Sequence, residues 1–314
     1  MQKNQKLKFI KDLSLMRALI AKHKRFDSLF AILGIFVIAS LTVTLLILFI
    51  DLVIDGYPRF SLDFFGNFPS RRAARAGILS AWVGSSLVLI ITFLSAVPLG
   101  VAAGVYLEEY AKKNWLSDLI EINVSNLAGV PSIIYGLLAL GLFVYQFGLG
   151  QTILTAGLTL ALLMLPIVIV STREAIRAIP IHIREAAYAV GATKWQVCLQ
   201  HVVPYSYGGI LTGVIIGMAR AIGETAPIIT IGALTFIAFL PPSPIGLEAP
   251  FINFDWLNSG FTVLPIQMFN WISRPQLAFH LNAAATGAVI IMLTLLMNGA
   301  AIKIRYNIRK KIKW

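Results

Sequence analysis

The sequence predicts an all-α membrane protein that crosses the bilayer about six times, and three observations carry that reading. Of its 314 residues 58% are hydrophobic and 13% charged, with a mean hydropathy of +0.80, far more apolar than a water-soluble domain. Apolar stretches recur at the roughly 20 residues that a helix, rising about 1.5 Å per residue, needs to cross a hydrocarbon layer. The basic residues gather in alternate connections between those stretches rather than along one face or tail.

Residues 1–25 interleave Leu7, Phe9, Ile10, Leu13, Met16 and Ile20 with lysines, a pattern that fits an amphipathic helix lying on anionic lipid or a solvated basic tail. The segment 26–75 holds the first span, Ala31 to Ile50, and a connection with Gly56, Pro58, Gly66 and Pro69 as turn residues. That span is too long and too far along the chain to be a cleaved leader, so it is expected to remain in the membrane. A core over 76–305 supplies five more spans: Ala76 to Leu107, Leu127 to Phe147, Thr152 to Ser171, Gly208 to Leu240 and Ala283 to Ile302. It includes a connecting loop at 172–204 and another at 241–281, and a basic tail, 306–314, follows.

The distribution of charge orients these spans. With both termini on one side, 20 of the 26 Lys and Arg residues fall on that side: eight before Phe26, Lys112 and Lys113, Arg173, Arg177, Arg184 and Lys194, and six after Ile302. The opposite side holds only Arg59, Arg71, Arg72, Arg75 and Arg274, and Arg220 is left within a span. Positive-inside bias therefore places both termini in the cytoplasm, and a membrane-hugging chain accounts for the net charge of +12 without nucleic acid. The loop at 241–281 mixes Pro241, Pro242, Pro244, Pro250, Pro265 and Pro275 with Phe251, Phe254, Trp256, Phe261, Phe269 and Trp271. As an external segment it reads as an interfacial aromatic belt or as a surface for a soluble partner.

Several chemistries are disfavoured. Cys198 is the single cysteine, so no internal disulfide and no cysteine metal cage is expected. His23, His182, His201 and His280 are not spaced as metal ligands, and the spans carry almost no acid besides Glu224, which argues against an intramembrane enzyme. No GxxxxGK[ST] phosphate loop occurs, so ATP hydrolysis is not expected of this chain.

The loop at 172–204 has a legible build. Pro180 should end one helix and begin the next. Glu185, Ala186 and Ala187 then lie on a short helix that Gly191 can stop in the left-handed conformation. Thr193 and Gln196 form a capping box for a further helix. The result is a projecting helical hairpin with small alanines expected to be exposed, suited either to simple connection or to seating in a groove of another protein. Glu185-Ala186-Ala187, with Gly191 four residues on and Pro204 closing the stretch, resembles the EAA loop of binding-protein-dependent ABC transporter permeases, of MetI-like architecture. His201 and Val203 stand where that family usually has Ile and Leu. The resemblance implies that Glu185, Ala186, Ala187 and Gly191 dock a separate ATPase.

The fifth apolar stretch places Gly209, Gly213, Gly217, Ala221 and Thr225 on one close-packing seam. Beside it Arg220 and Glu224 stand one helical turn apart. Measured from about Tyr205–Gly208, Arg220 lies about 18–22 Å into the membrane by helix rise, where a charge is costly and faces a polar partner or an aqueous pathway. The pair fits an internal salt bridge that fixes packing, or a pathway in which a planar fork of donors meets an oxyanion and Glu224 holds it in the empty state. Pro227 cannot donate to Gly223 and should loosen the helix there.

The run from Met218 to Gly232, with Ala128–Gly136 (AGVPSIIYG) and Leu264–Pro275 (LPIQMFNWISRP), is similar to the PstA-type permeases of phosphate ABC transporters over most of the chain from Ala76 onward. Molybdate and sulfate permeases share an Arg-Ala-Leu-Gly-Glu run but continue with Phe-Gly in place of Thr225-Ala226-Pro227. The resemblance implies a permease subunit of an ATP-driven phosphate importer in a bacterial inner membrane, with Arg220, Glu224 and Thr225 on the substrate pathway. It implies a PstC-type second permease, a PstB-type ATPase dimer and a PstS-type external binding protein as partners, besides membrane lipid. No cofactor would bind this chain directly; ATP and Mg would be used by the ATPase. A molybdate or sulfate permease is the alternative, and a passive anion channel a more distant one that leaves the docking loop without a purpose.

Overall fold

The computed structural model describes residues 2–112, 114–234, 236–245 and 251–311, with the side chains of 2–15, 17–22, 25, 309 and 311 outside the description. Lys113, Pro250 and nearly all of the amphipathic pattern expected over 1–25 therefore lie outside the described residues or side chains. The chain divides into two units, Met1–Ile54 and Asp55–Trp314.

The first unit consists of helix α1 (Gln2–Gly56) up to Ile54, and the helical stretch Phe26–Arg59 is long and apolar enough to cross a membrane. Two of its hydroxyls are satisfied within the helix: Thr42 Oγ1 donates to the Ile38 carbonyl at 2.8 Å and Thr44 Oγ1 to the Ser40 carbonyl at 2.9 Å. Bonding back to the carbonyl four residues earlier spares these groups an unpaired exposure to hydrocarbon.

The connection expected as an external loop over 51–75 starts as helix, to Gly56, and in the second unit it contributes Phe60, Phe64 and Ala73 to a core cluster. Short helix α2 (Leu62–Gly66) inserts Phe64, fully buried against Trp271. Arg59 bonds to Asn282 and to the carbonyls of Ala74 (3.0 Å) and Ala76 (2.8 Å). The central bundle then consists of α3 (Leu79–Val105), α6 (Ile153–Arg177), α9 (Val203–Gly223) and α12 (Leu277–Lys311). On α9 the small-residue seam is met by α6: Gly209 faces Ala175, Gly213 faces Ser171 and Gly217 faces Met164. Side chains this small let two backbones approach closely, and their order shows the helices antiparallel.

Two spans differ from the sequence expectation. The stretch from Leu127 to Phe147 is not straight: α4 (Trp115–Leu127) and α5 (Ser132–Ala139, prolonged by a π-helical segment to Gln146) meet at 107° across residues 128–131. Pro131, which disfavours helix in the residue before it and lacks a donor, caps the second arm. The fifth span begins earlier and ends earlier than expected. It runs from α8 (Lys194–Val197) through a π-helical segment (Cys198–Val202) into α9 and stops at Gly223, with Glu224 extended at φ −73°, ψ 124°. A five-residue helix α10 (Ala226–Thr230) and irregular chain follow, so Gly208 to Leu240 is not one span and Thr225 lies off the seam. The described residues thus contain five helices long enough to cross, six if the bent pair counts as one.

The aromatic segment is the third difference. Trp256, Phe261 and Trp271 are buried, and α11 (Leu264–Ile272) packs on α12, while Phe251, Phe254 and Phe269 stay exposed. Half of the expected belt is therefore core: Trp271 by the helical spacing of Leu264, Met268 and Trp271, and Trp256 and Phe261 by packing with Val88, Ile153 and Leu160 in a separate cluster. Among the described residues no strand forms, only an isolated bridge between Ile245 and Ile252.

Candidate functional site

At one end of the bundle, α6 turns through Ala178–Pro180 into α7 (Ile181–Ala189), and Gly191 reverses the chain at φ +85°. That left-handed conformation carries a steric cost for any residue with a Cβ. The capping box is present: Thr193 Oγ1 accepts from Gln196 N at 3.3 Å, and Gln196 Oε1 accepts from Thr193 N at 2.8 Å. Glu185 and Ala186 are exposed on α7, with Glu185 3.3 Å from His182. Ala187 is not part of that surface. It is 6% exposed and packs with Ile176, Ile179, Val197 and Val202, clamping the hairpin onto α6 and α8. The exposed residues of the hairpin from Ile181 to Val190 are Ile181, His182, Glu185, Ala186, Tyr188, Ala189 and Val190.

Toward the other end, Arg220 Nε donates to Glu224 Oε1 at 3.0 Å. The pair exists although only Arg220 is helical, because the break after Gly223 still leaves the acid within reach. Glu224 lines a small cavity with Ser85, Leu160, Ala221 and Ile228. Leu160 is seven residues into α6, so the pair sits about 10 Å in from that end of the bundle by helix rise. The Arg220 side chain is 38% exposed, against 16% for Glu224. The guanidinium therefore turns away from this chain's own core, with donors left over after the single bond to the acid. Thr225 Oγ1 lies 3.4 Å from the Gly223 carbonyl, at the mouth of the break. The bent span reaches the same place. Tyr135, on α5, lies within electrostatic reach of Arg220. Its hydroxyl donates to the Leu127 carbonyl at 2.7 Å, bracing the 107° bend, while Gly136 packs directly on Pro227 and Thr230 of α10.

A second group of charges, not anticipated from sequence, ties the hairpin end together. Glu108 and Glu109 occupy a π-helical turn, Tyr106–Tyr110, that ends α3. Glu108 and Glu121 of α4 share Arg173 and Arg177 of α6: Arg173 Nη2 is 2.6 Å from Glu121, Arg177 Nε 3.0 Å from Glu108 and Arg177 Nη2 3.2 Å from Glu121. Arg173 Nε lies 3.4 Å from Glu108, an ion pair without hydrogen-bond geometry. The Arg173 side chain is 7% exposed, a burial tolerable only because two acids neutralise two bases. Glu109 takes Arg184 of α7, at 2.7 Å from Nη2 and 3.0 Å from Nε. The pairs span 52 to 75 residues of sequence, beyond any periodicity. The one signal available was two acids closing a long apolar run.

Comparison with known proteins supplies the context. Residues 96–303 match the family described as "Binding-protein-dependent transport system inner membrane component". The chain is 33% identical over 281 residues to a "Probable ABC transporter permease protein YqgI" of Bacillus subtilis, covering 84% of this chain and 90% of that one. It is 34% identical over 229 residues to the "Phosphate transport system permease protein PstA" of Mycobacterium leprae, covering 72% and 70%, and 32% identical over 250 residues to the PstA protein of Yersinia pestis, covering 78% of each. Among solved structures, the MetNI methionine ABC transporter in an inward-facing conformation has a chain similar in fold, at a TM-score of 0.53 and 16% identity, covering 72% of this chain and 94% of that one.

Proposed function

The chain belongs to the binding-protein-dependent transport system inner membrane component family, and we propose that it is the permease subunit of an ATP-driven importer of inorganic phosphate. Membership makes it a multi-span ABC transporter permease that works with a partner permease and ATPase subunits. The phosphate reading rests on one observation above the others: a guanidinium about 10 Å inside the bundle by helix rise, turned outward at 38% exposure and held by a single carboxylate. Relatives whose names specify phosphate transport support it.

In this reading the exposed side of Arg220 faces the second permease, and the pathway runs between the two subunits. A phosphate oxyanion arriving there exchanges with Glu224 for the planar fork of donors. Glu224, returning, keeps the empty site neutral and prevents over-tight capture. Thr225, at the break, brings a hydroxyl donor beside it. At the other end, the Ile181–Gly191 hairpin faces the cytoplasm with both termini and seats in an ATPase of the PstB type, which binds ATP and Mg. A PstC-type permease and a PstS-type external binding protein complete the assembly. ATPase closure rocks the bundle and exposes the Arg220 region to each side in turn.

The experiment is uptake by the complete complex in vesicles, driven by ATP and by binding protein loaded with phosphate, sulfate or molybdate. Phosphate alone should be taken up, and Arg220→Gln should abolish uptake while the complex still co-purifies. Uptake of molybdate or sulfate in its place would reassign the cargo; uptake without ATP would make the chain a channel; normal uptake by Arg220→Gln would remove the pair from the pathway.

A further inference from the structure

We propose that Arg184 and Glu109 are positioning residues for energy coupling, locking the docking helix α7 to the end of α3 so that the two move as one lever. The inference rests on α7 being the ATPase contact. Arg184 directs its donors at three segments at once: Glu109 in the π-helical turn of α3, the Ile176 carbonyl at 3.1 Å and the Ile179 carbonyl at 3.0 Å in the last turn of α6 and the link that follows. The Ile176 carbonyl also accepts from Ile179 N at 3.2 Å, so the guanidinium adds a second bond where α6 turns into the link. The Arg184 and Glu109 side chains are 19% and 9% exposed, so water competes weakly for the pair. Arg184 precedes Glu185 on α7, yet points inward where Glu185 points out.

The Ala178–Pro180 turn, the Gly191 turn and the apolar clamp at Ala187 hold α7 against α6 and α8, but apolar contacts can slide under a push from the ATPase. The guanidinium adds a directional tie to the end of α3. The neighbouring acid extends the connection, because Glu108, in the same π-helical turn, holds Arg173 and Arg177 and through them Glu121 on α4. From α4 the chain continues across the 107° bend to α5, whose Gly136 packs on Pro227 and Thr230 just beyond the Arg220 pair. Displacement of α7 is thereby handed to α3 first and to the bent span second.

The test uses the whole complex in proteoliposomes and reads three quantities: ATPase co-purified, basal ATP hydrolysis, and phosphate taken up per ATP. Arg184→Gln and Glu109→Gln should retain bound, hydrolysing ATPase while phosphate per ATP falls about tenfold. The double variant should lose no more than the worse single one, since the two side chains act as a unit. Arg184→Lys, keeping the charge but not the three-way fork, should fall between. If Arg184→Gln assembles too poorly to measure, Glu109→Gln carries the test, because it leaves the two carbonyl bonds in place. An unchanged phosphate-to-ATP ratio in Glu109→Gln, whatever the yield of complex, overturns the proposal, as do additive losses in the double variant. Failure of the unaltered complex to transport phosphate at all would instead strike the functional reading beneath it.

Discussion

Gly136→Ala tests the contact that places the bent span against the substrate pair. A Cβ at position 136 would lie 2.6 Å from Pro227 Cα and 2.9 Å from the Pro227 carbonyl oxygen, and closer still to the Thr230 hydroxyl. Thr230 can rotate away at the expense of its 2.8 Å bond to that carbonyl, but the proline backbone cannot. Carbon atoms settle about 3.5–4.0 Å apart, so α5 and α10 must separate by about 1 Å. Overpacking of that kind costs about 1–3 kcal/mol, equivalent to a fall in melting temperature of about 3–10 °C for a unit of this size. Since α10 begins two residues after Glu224, the shift reaches the Arg220 pair, and uptake at limiting phosphate should drop about tenfold, the equivalent of about 1.4 kcal/mol. Thermal denaturation of the purified complex and initial uptake rates measure the two effects. Gly141→Ala on the same arm has no atom within 4 Å of the new carbon and should stay within about 0.5 kcal/mol of the parent. If Gly136→Ala melts and transports like the parent, the close contact is not what positions the pair.

Two other perturbations address the hairpin end. Gly191→Val meets no neighbouring atom but must hold φ +85°, at a cost of about 1–2 kcal/mol or more for a branched side chain; co-purification of the ATPase should fall, and Gly191→Asn, which tolerates that conformation, should keep most of it. Arg173→Met leaves Glu108 and Glu121 sharing one base and should lower stability by about 3 kcal/mol, read as a melting temperature that Glu121→Gln in the same chain partly restores.

Much of this architecture is written in composition. Spans over Ala31–Ile50, Ala76–Leu107 and Thr152–Ser171 follow from length and hydropathy, and the hairpin from residues whose backbone preferences are strong: Pro180, Gly191 and the Thr193–Gln196 box. The two broken spans were marked, but weakly. Gly129 and Pro131 sit inside an otherwise apolar run, and Pro227 forbids the helix from continuing; counting apolar residues passes over both. Ala187 was misplaced because an alanine signals close approach without saying to which side, and its own core took it. Trp256, Phe261 and Trp271 read as a belt or as a partner surface because a Pro-rich stretch does not show that it folds back onto the bundle, Trp271 on a short helix and the other two in the chain just before it. The charge box escaped altogether: Glu108, Glu121, Arg173 and Arg177 come together only once α3, α4 and α6 are packed, and no local pattern announces it.

The π-helical segment at Cys198–Val202 bears on how such a chain can change over evolutionary time. A wide turn of this kind amounts to one residue more than the α-helix would need between the same two ends. Losing a single residue there would restore the regular ladder between the same two ends, and the face bearing Gly209, Gly213 and Gly217 would keep pointing at α6. A residue lost from the regular turns of α9 meets no such reserve and would rotate everything on one side of it by about 100° about the helix axis. Descendants of this gene should accordingly tolerate a change of one residue in length between 198 and 202 while keeping the number fixed from 203 to 223.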